Sequence, residues 1–320
     1  MISPEKKTRV LITSAGGLAG VYLQKHLSSL GKYFLVGADM NDTVPRKEKW
    51  DAFYKTEKSS HPNYVNQVRS IIESEQIDVV IPVSSYDMDY FSKEEMKKAV
   101  MPAKMLVMDY ETHGSLHDKV KCAEFLHNID IESPKRYTEE SISFPCIMKP
   151  IKSSGSRNVV VLESHSDYLY WSKKVGEHAL FEYIDGDEYT VDCLFDENGR
   201  CVGYNSRKRV KMNGGGAIVS TCIYEKRLLA VIKKLEACQR VKGPVNFQYK
   251  IKNDEIVIFD FNTRFASGGL PLSVQAGFDI PDMLIKLALG LNVEPWKQDI
   301  TKDGLTMLRY YEECFMKGIK

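Results

Sequence analysis

An α/β fold is predicted for this 320-residue chain: a Rossmann-like domain with a parallel sheet at the N-terminus, then a two-part α+β region. Three observations carry that expectation. In the first third, short apolar runs alternate with segments of helical period. After Pro134 the apolar runs come in close pairs joined by turn sequences, which suits antiparallel hairpins better than crossovers. The composition, 43% hydrophobic and 27% charged, is that of an ordinary globular core.

In chain order, Val10–Ile12 is a buried strand closed by Gly16–Gly17, and Leu18–Leu30 reads as the helix after it. Phe34–Val36 is a second strand. Asn63–Glu75 has helical spacing of Val65, Val68, Ile71 and Ile72, Val79–Ile81 is a strand stopped by Pro82, and Lys104–Met108 reads as another strand. Strand, helix and strand in this order imply a parallel sheet covered by helices. One helix is expected from about His117 to Asn128, and the domain break falls near residues 110–140. Cys146–Lys149 and Val159–Val161 pair as a hairpin around Ser153–Ser156. Asp167–Gly176 is a helix. Tyr189–Phe195 and Cys201–Asn205 flank a turn at Glu197–Gly199, and Tyr224–Cys238 is amphipathic. Val245–Ile251 and Glu255–Phe261 flank a turn at Asn253–Asp254, Asp282–Leu291 is a helix stopped near Gly290, and the tail around Arg309–Tyr311 is expected to be a final strand.

Bulk properties exclude several functions. With 44 Lys plus Arg against 43 Asp plus Glu the net charge is +1, so nothing suggests nucleic-acid or membrane binding, and any polyanion site must be local. Seven scattered cysteines without a CxxC fit reduced thiols in a cytoplasmic protein better than a disulfide framework or a zinc site. The N-terminus lacks a signal-peptide pattern, and no apolar run is long enough to span a bilayer. The histidines are assigned no role, and a homodimer is the default oligomer.

Four stretches carry candidate chemistry. Ala15–Gly20 approximates GxGxxG, and Asp39 ends the second strand where a ribose-binding acid would sit; this is equally a packing device. Lys149 ends a strand and is followed by Ser153, Ser154, Gly155 and Ser156, a loop whose N–H groups with a lysine could hold phosphates; the local alternative is a plain hairpin with a surface lysine. No Walker A sequence occurs. Phe181–Glu188 could present backbone to a purine edge through Glu182, Tyr183 and Ile184, with Glu188 accepting from ribose hydroxyls, or be a solvated acidic turn. Asp260 and Asn262 share one strand face, with Gln248 on the partner strand and Arg264 on the same face. Oxygen donors carrying one charge suit Mg²⁺, and the arginine suits a phosphoryl group; a structural polar network is the competing reading.

In this order the pieces resemble the ATP-grasp superfamily, particularly short stand-alone proteins similar to half of the carbamoyl phosphate synthase large subunit. Asp260-Phe261-Asn262-Thr263-Arg264 is similar to the family's E-x-N-P-R metal motif, with Asp for Glu and Thr for Pro. The resemblance implies a pre-ATP-grasp domain over 1–112, a lid with its linker helix over 113–185 and a metal-bearing C-terminal subdomain over 186–320. It implies ATP with Mg²⁺ (or Mn²⁺), and nucleotide contacts from Lys119, Lys149, Ser153–Ser156, Glu182–Ile184 and Glu188. It implies metal ligation by Gln248, Asp260 and Asn262, catalytic roles for Arg264 and Arg207, and substrate contacts at Ser84, Ser85 and Asp87. The implied activity is joining a small carboxylate to an amine through an acyl phosphate. The rivals are a kinase-like or carboxylating ATP-grasp reaction, a dinucleotide-dependent oxidoreductase and a non-catalytic ATP sensor.

Overall fold

A computed structural model describes residues 6–152, 158–213 and 216–315. The chain opens with β1 (Thr8–Thr13), α1 (Leu18–Ser29), β2 (Tyr33–Asp39), β3 (Ala52–Lys55), α2 (Tyr64–Glu75) and β4 (Val79–Ile81). These strands form one parallel sheet in the order β3-β2-β1-β4. The glycines after β1 serve packing: a Cβ on Gly20 would stand 2.7 Å from the carbonyl oxygens of Ser14 and Ala15, and one on Gly16 would stand 2.5 Å from Val44 Cγ1. Asp39 accepts from the N–H groups of Gly16 and Asn41, both at 2.9 Å, so its carboxylate serves the loop itself.

Beyond the sheet come α3 (Ser85–Phe91), α4 (Glu94–Ala99), α5 (Tyr110–His117) and α6 (Lys119–Asn128). One expectation needs correction here. Lys104 makes a parallel bridge with Val79, but residues 105–108 form no strand, because the chain turns away toward α5. The helix expected from about His117 to Asn128 is α6, and α5 precedes it. Asp118 sits in extended backbone (φ −81°, ψ 124°) and its carboxylate caps the N–H groups of Val120 and Lys121, which ends α5 and starts α6.

The next sheet is β5 (Arg136–Tyr137), β6 (Cys146–Pro150), β7 (Val160–Leu162) and, after α7 (His165–Val175), β8 (His178–Glu182), ordered β5-β8-β6-β7 and antiparallel throughout. The third sheet holds β9 (Tyr189–Phe195), β10 (Cys201–Asn213), β11 (Gly216–Cys222), β12 (Gly243–Lys252) and β13 (Glu255–Asn262), with α8 (Leu228–Ala237) between β11 and β12. Then follow α9 (Leu270–Gln275), α10 (Ile280–Ala288) and β14 (Thr306–Leu308), giving the order β13-β12-β9-β10-β11-β14. The final strand thus precedes Arg309–Tyr311, which lie outside any element, with both tyrosines exposed. The β12–β13 turn is tight because Asn253 and Asp254 both take positive φ, 50° and 66°.

This architecture is α/β followed by α+β, as the sequence predicted. One core joins its ends: Val10, Ile12, Leu23 and Leu27 pack with Ile280, Leu284 and Ile285 of α10. Each such side chain contributes about 1.5–3 kcal/mol when fully buried. Polar contacts reinforce that junction, since Asp282 accepts from Tyr33 Oη at 2.5 Å and pairs with Lys32 at 2.6 Å. The N-terminal sheet is therefore fixed against the sheet that carries the candidate metal ligands. No helix among the described residues is long and apolar enough to cross a membrane.

Candidate active site

The site is built on β12 and β13. Their register places Gln248 opposite Asp260 and Asn246 opposite Asn262, so four polar side chains cluster on the two strands. Each candidate metal ligand offers its oxygen to a cation. Asp260 Oδ1 pairs with Lys119 Nζ. Gln248 Oε1 accepts from Arg209 Nη1 at 2.7 Å, and Asn262 Oδ1 lies 3.5 Å from Arg264 Nη2. Oxygens so directed, next to Asn262 Nδ2 donating to Asp260 Oδ2 at 3.0 Å, form a donor set suited to a hard divalent cation.

Two cavities adjoin at these residues. One, of about 260 Å³, is lined by Lys119, Ile147, Lys149, Glu182, Ile184 and Glu188. The other, of about 60 Å³, is strongly polar and includes Arg207, Asn246, Asn262 and Arg264. Arg209, Gln248 and Asp260 line both, so they stand at the junction.

The larger cavity lies between the second and third sheets. Lys149 reaches across from β6 to donate to the Phe259 carbonyl at 3.2 Å, with its ammonium over the Phe259 and Phe181 rings. Glu188 pairs with Arg209 at 3.1 Å. Glu182 and Ile184 line the cavity while Tyr183 is not among its lining residues; the Ile184 carbonyl accepts from Lys250 at 2.7 Å. Ser153, Ser154, Gly155 and Ser156 lie outside the described residues.

In the smaller cavity Arg207 forms a buried ion pair with Asp192, Nε to Oδ2 at 3.0 Å, and Ser273 Oγ donates to the same carboxylate at 2.6 Å. Gly269 leaves room for that guanidinium, because a Cβ would fall 1.8 Å from Arg207 Cζ and displace it. Arg264 donates from Nε to Ser85 Oγ at 2.9 Å, tying the end of β13 to α3. Ser84 and Asp87 are otherwise engaged. They form the capping box of α3, and Asp87 accepts from the Thr13 and Ser14 hydroxyls at 2.7 Å each. Both face a separate cavity of about 690 Å³ beside the N-terminal sheet, not the strands of the candidate metal ligands.

The electrostatics favour an anion. Burial pushes the Lys149 pKa down to about 8 and pulls Arg209 and Arg264 below the ordinary arginine value. Burial likewise opposes the charge of Lys119, but Asp260 beside it holds its pKa above the usual lysine value. Burial would raise the Asp260 carboxyl, and the ammonium groups of Lys119 and Lys149 hold it lowered instead. Burial thus disfavours the charge of Lys149, Arg209 and Arg264 in a concave site, and phosphate oxygens would favour it.

The sequence reading passed over Asn246, whose Nδ2 donates to the Arg264 carbonyl at 2.8 Å, and the Asp192–Ser273 support of Arg207. Period two along β10 separates the roles: Arg207 and Arg209 face the site, while Lys208 pairs with Asp187 on the other side. The reading also passed over the i,i+4 pair His113 and His117 on α5, where His113 bonds to Asp89 and Thr263.

A family profile described as "ATP-grasp in the biosynthetic pathway with Ter operon" matches residues 175–312. The chain is 25% identical over 214 residues to the carbamoyl phosphate synthase large chain of Thermoanaerobacter sp. (strain X514), covering 58% of this chain and 20% of that one. It is also 25% identical over 214 residues to the D-alanine–D-alanine ligase of Wolbachia pipientis wMel, covering 59% and 65%. The chain thus matches about a fifth of the length of that synthase and just under two thirds of that ligase. Among solved structures, N5-carboxyaminoimidazole synthetase from Staphylococcus aureus complexed with ADP aligns with a TM-score of 0.72 at 14% identity, over 91% of this chain and 80% of that one, a likeness of fold.

Proposed function

We propose that this chain, a member of the ATP-grasp superfamily, is an ATP-dependent ligase that activates a small carboxylate as an acyl phosphate and joins it to an amine. The observation that carries this reading is the junction. Two oxygen donors, Gln248 and Asp260, line both the larger cavity and the small arginine-lined one, and a third, Asn262, lines the smaller beside them. A phosphoryl donor on one side and an acceptor on the other would meet at those residues.

In this reading the nucleotide occupies the larger cavity. Its base lies near Ile147, Glu182 and Ile184, and its ribose hydroxyls donate to Glu188. Lys149 and Lys119 take phosphate oxygens, and Lys119 exchanges its bond to Asp260 for them. Mg²⁺, when bound by Gln248, Asp260 and Asn262, supplies charge neutralisation to the β- and γ-phosphates. The acceptor carboxylate lies between the Arg207 and Arg264 guanidinium groups, which fit its two oxygens.

The chemistry then follows. A carboxylate oxygen attacks the γ-phosphorus, the bond to the β,γ-bridging oxygen breaks, and ADP leaves. The acyl carbon now carries phosphate, a far better leaving group than oxide. The amine nitrogen attacks that carbon, phosphate departs and the nitrogen loses a proton. The chain's own residues position the reactants and stabilise developing charge.

Phosphate release from ATP, screened against panels of acids and amines with mass detection of products, tests this. The expected result is release that needs both an acid and an amine, with a product equal to their sum less water. A stable phosphorylated product, release that depends on bicarbonate without an amine, or bound ATP that stays intact against every pair would contradict it.

A further inference from the structure

Outside the two adjoining cavities, α3 and α5 bring a carboxylate and two imidazoles together. Asp89 Oδ1 lies 2.9 Å from His113 Nε2 and 3.4 Å from His117 Nδ1, and ligating atoms of the three residues all lie within 4.8 Å of one another. From these separations we propose that Asp89, His113 and His117 form a binding site for a transition-metal dication of the Zn²⁺ class, distinct from the all-oxygen Mg²⁺ site.

Geometry supports it. Tetrahedral bonds of about 2.0–2.1 Å put neighbouring ligand atoms roughly 3.3 Å apart. The two carboxylate–imidazole distances bracket that value, and the 4.8 Å limit on the separation of the imidazoles leaves at most about 1.5 Å for side-chain rotation to close. Spacing of i,i+4 on α5 sets both imidazoles on one face of the helix. The ring of His113 is oriented from behind, because its Nδ1 lies 2.7 Å from Thr263 Oγ1. Without metal Nε2–H donates to the Asp89 carboxylate; a bound ion would replace that proton, with Nδ1–H then donating to the Thr263 hydroxyl, the tautomer a metal requires. His113 is fully buried, whereas Asp89 is 43% exposed, which leaves an entry path and an open coordination position.

The ligand chemistry separates the two sites. Imidazole nitrogens favour Zn²⁺, Co²⁺, Ni²⁺ or Cu²⁺, while amide and carboxylate oxygens suit Mg²⁺. The dication would clamp α3 to α5. Through His113 it would fix Thr263, the residue that follows Asn262 and stands where the related motif has proline.

Titration of the full chain with Co²⁺ in excess Mg²⁺, followed by visible absorption, tests the assignment without reference to ATP turnover. One equivalent should bind with the intense d–d bands of a four- or five-coordinate nitrogen and oxygen site. Asp89→Asn and His117→Gln, both at partly exposed positions, should each weaken binding by more than the roughly 10–100-fold that loss of an outer-shell partner causes. A melting temperature taken without metal confirms that each variant folds. Zn²⁺ should displace Co²⁺ and raise the melting temperature of the wild type but not of the variants. Absence of d–d bands, thiolate charge-transfer bands, or equal binding by the wild type and both variants would overturn the proposal.

Discussion

Replacing Lys149 with methionine should stabilise the ligand-free protein while weakening nucleotide binding. Lys149 is buried and reaches the Phe259 carbonyl at 3.2 Å. A lysine whose pKa falls from the ordinary 10.5 to about 8 has its charged form disfavoured by about 3 kcal/mol in the folded chain. Methionine removes that cost and keeps most of the apolar stem. It also leaves the Phe259 carbonyl without this donor, a loss of about 1–2 kcal/mol. The expected net gain is about 1–2 kcal/mol, or a few degrees in melting temperature. Saturating MgATP should reverse the order, because ligand at about a hundred times its dissociation constant stabilises by about 2.7 kcal/mol and the variant forfeits most of that.

The pH dependence follows with a fixed sign. Above pH 8 the folded chain releases the Lys149 proton while the unfolded chain keeps it up to about 10.5. The unfolded state then binds more protons, so this group's contribution to stability rises with pH across that window. The advantage of Lys149→Met should therefore shrink from pH 7.5 to pH 10. Differential scanning fluorimetry with and without MgATP at several pH values reads all three effects. A variant less stable than wild type without ligand, or an advantage that grows with pH, would refute the reasoning.

Further perturbations separate the parts of the site. Asp260→Asn and Arg264→Ala should each lower ATP turnover by about 10²-fold or more, as removal of a charge stabiliser does; wild-type-like turnover in both would contradict their roles. Glu188→Ala should mainly raise the KM for ATP, and an effect confined to kcat would contradict a ribose contact. Gly269→Ala should push the Arg207 guanidinium from its pair with Asp192. Breaking a buried pair costs about 3–5 kcal/mol, so chemical denaturation should show a loss of that order, and an unchanged midpoint would contradict the packing.

Much of the fold was legible in the sequence because its elements carry strong local signals. The apolar runs Val10–Ile12 and Val79–Ile81, the spacing within residues 63–75 and the Asn253–Asp254 turn all became the expected elements. The failures have physical causes. Residues 104–108 are apolar enough for a strand, yet Lys104 alone finds a parallel partner. α5 was passed over because its eight residues, Tyr110–His117, carry little apolar periodicity. β11 was passed over because Gly216–Cys222 mixes glycine with small polar residues, and its partners on β10 and β14 decide its conformation. In the site, Gln248, Asp260 and Asn262 were readable because a two-residue period and a short hairpin place them by local rules. Long-range partners were not readable: Asp192 is 15 residues from Arg207, Ser273 is 81 from Asp192, and Ser85 is 179 from Arg264.

The central claim is that Gln248, Asp260 and Asn262 grip a divalent cation between nucleotide and acceptor. Anomalous diffraction from a crystal grown with Mn²⁺ and ADP measures that directly. A manganese peak is expected in contact with Asp260 and Asn262 oxygens and close to Gln248, with the nucleotide running back past Lys149 to Glu188. Manganese elsewhere, or ADP seated in the cavity of the N-terminal sheet near Asp39, would contradict it.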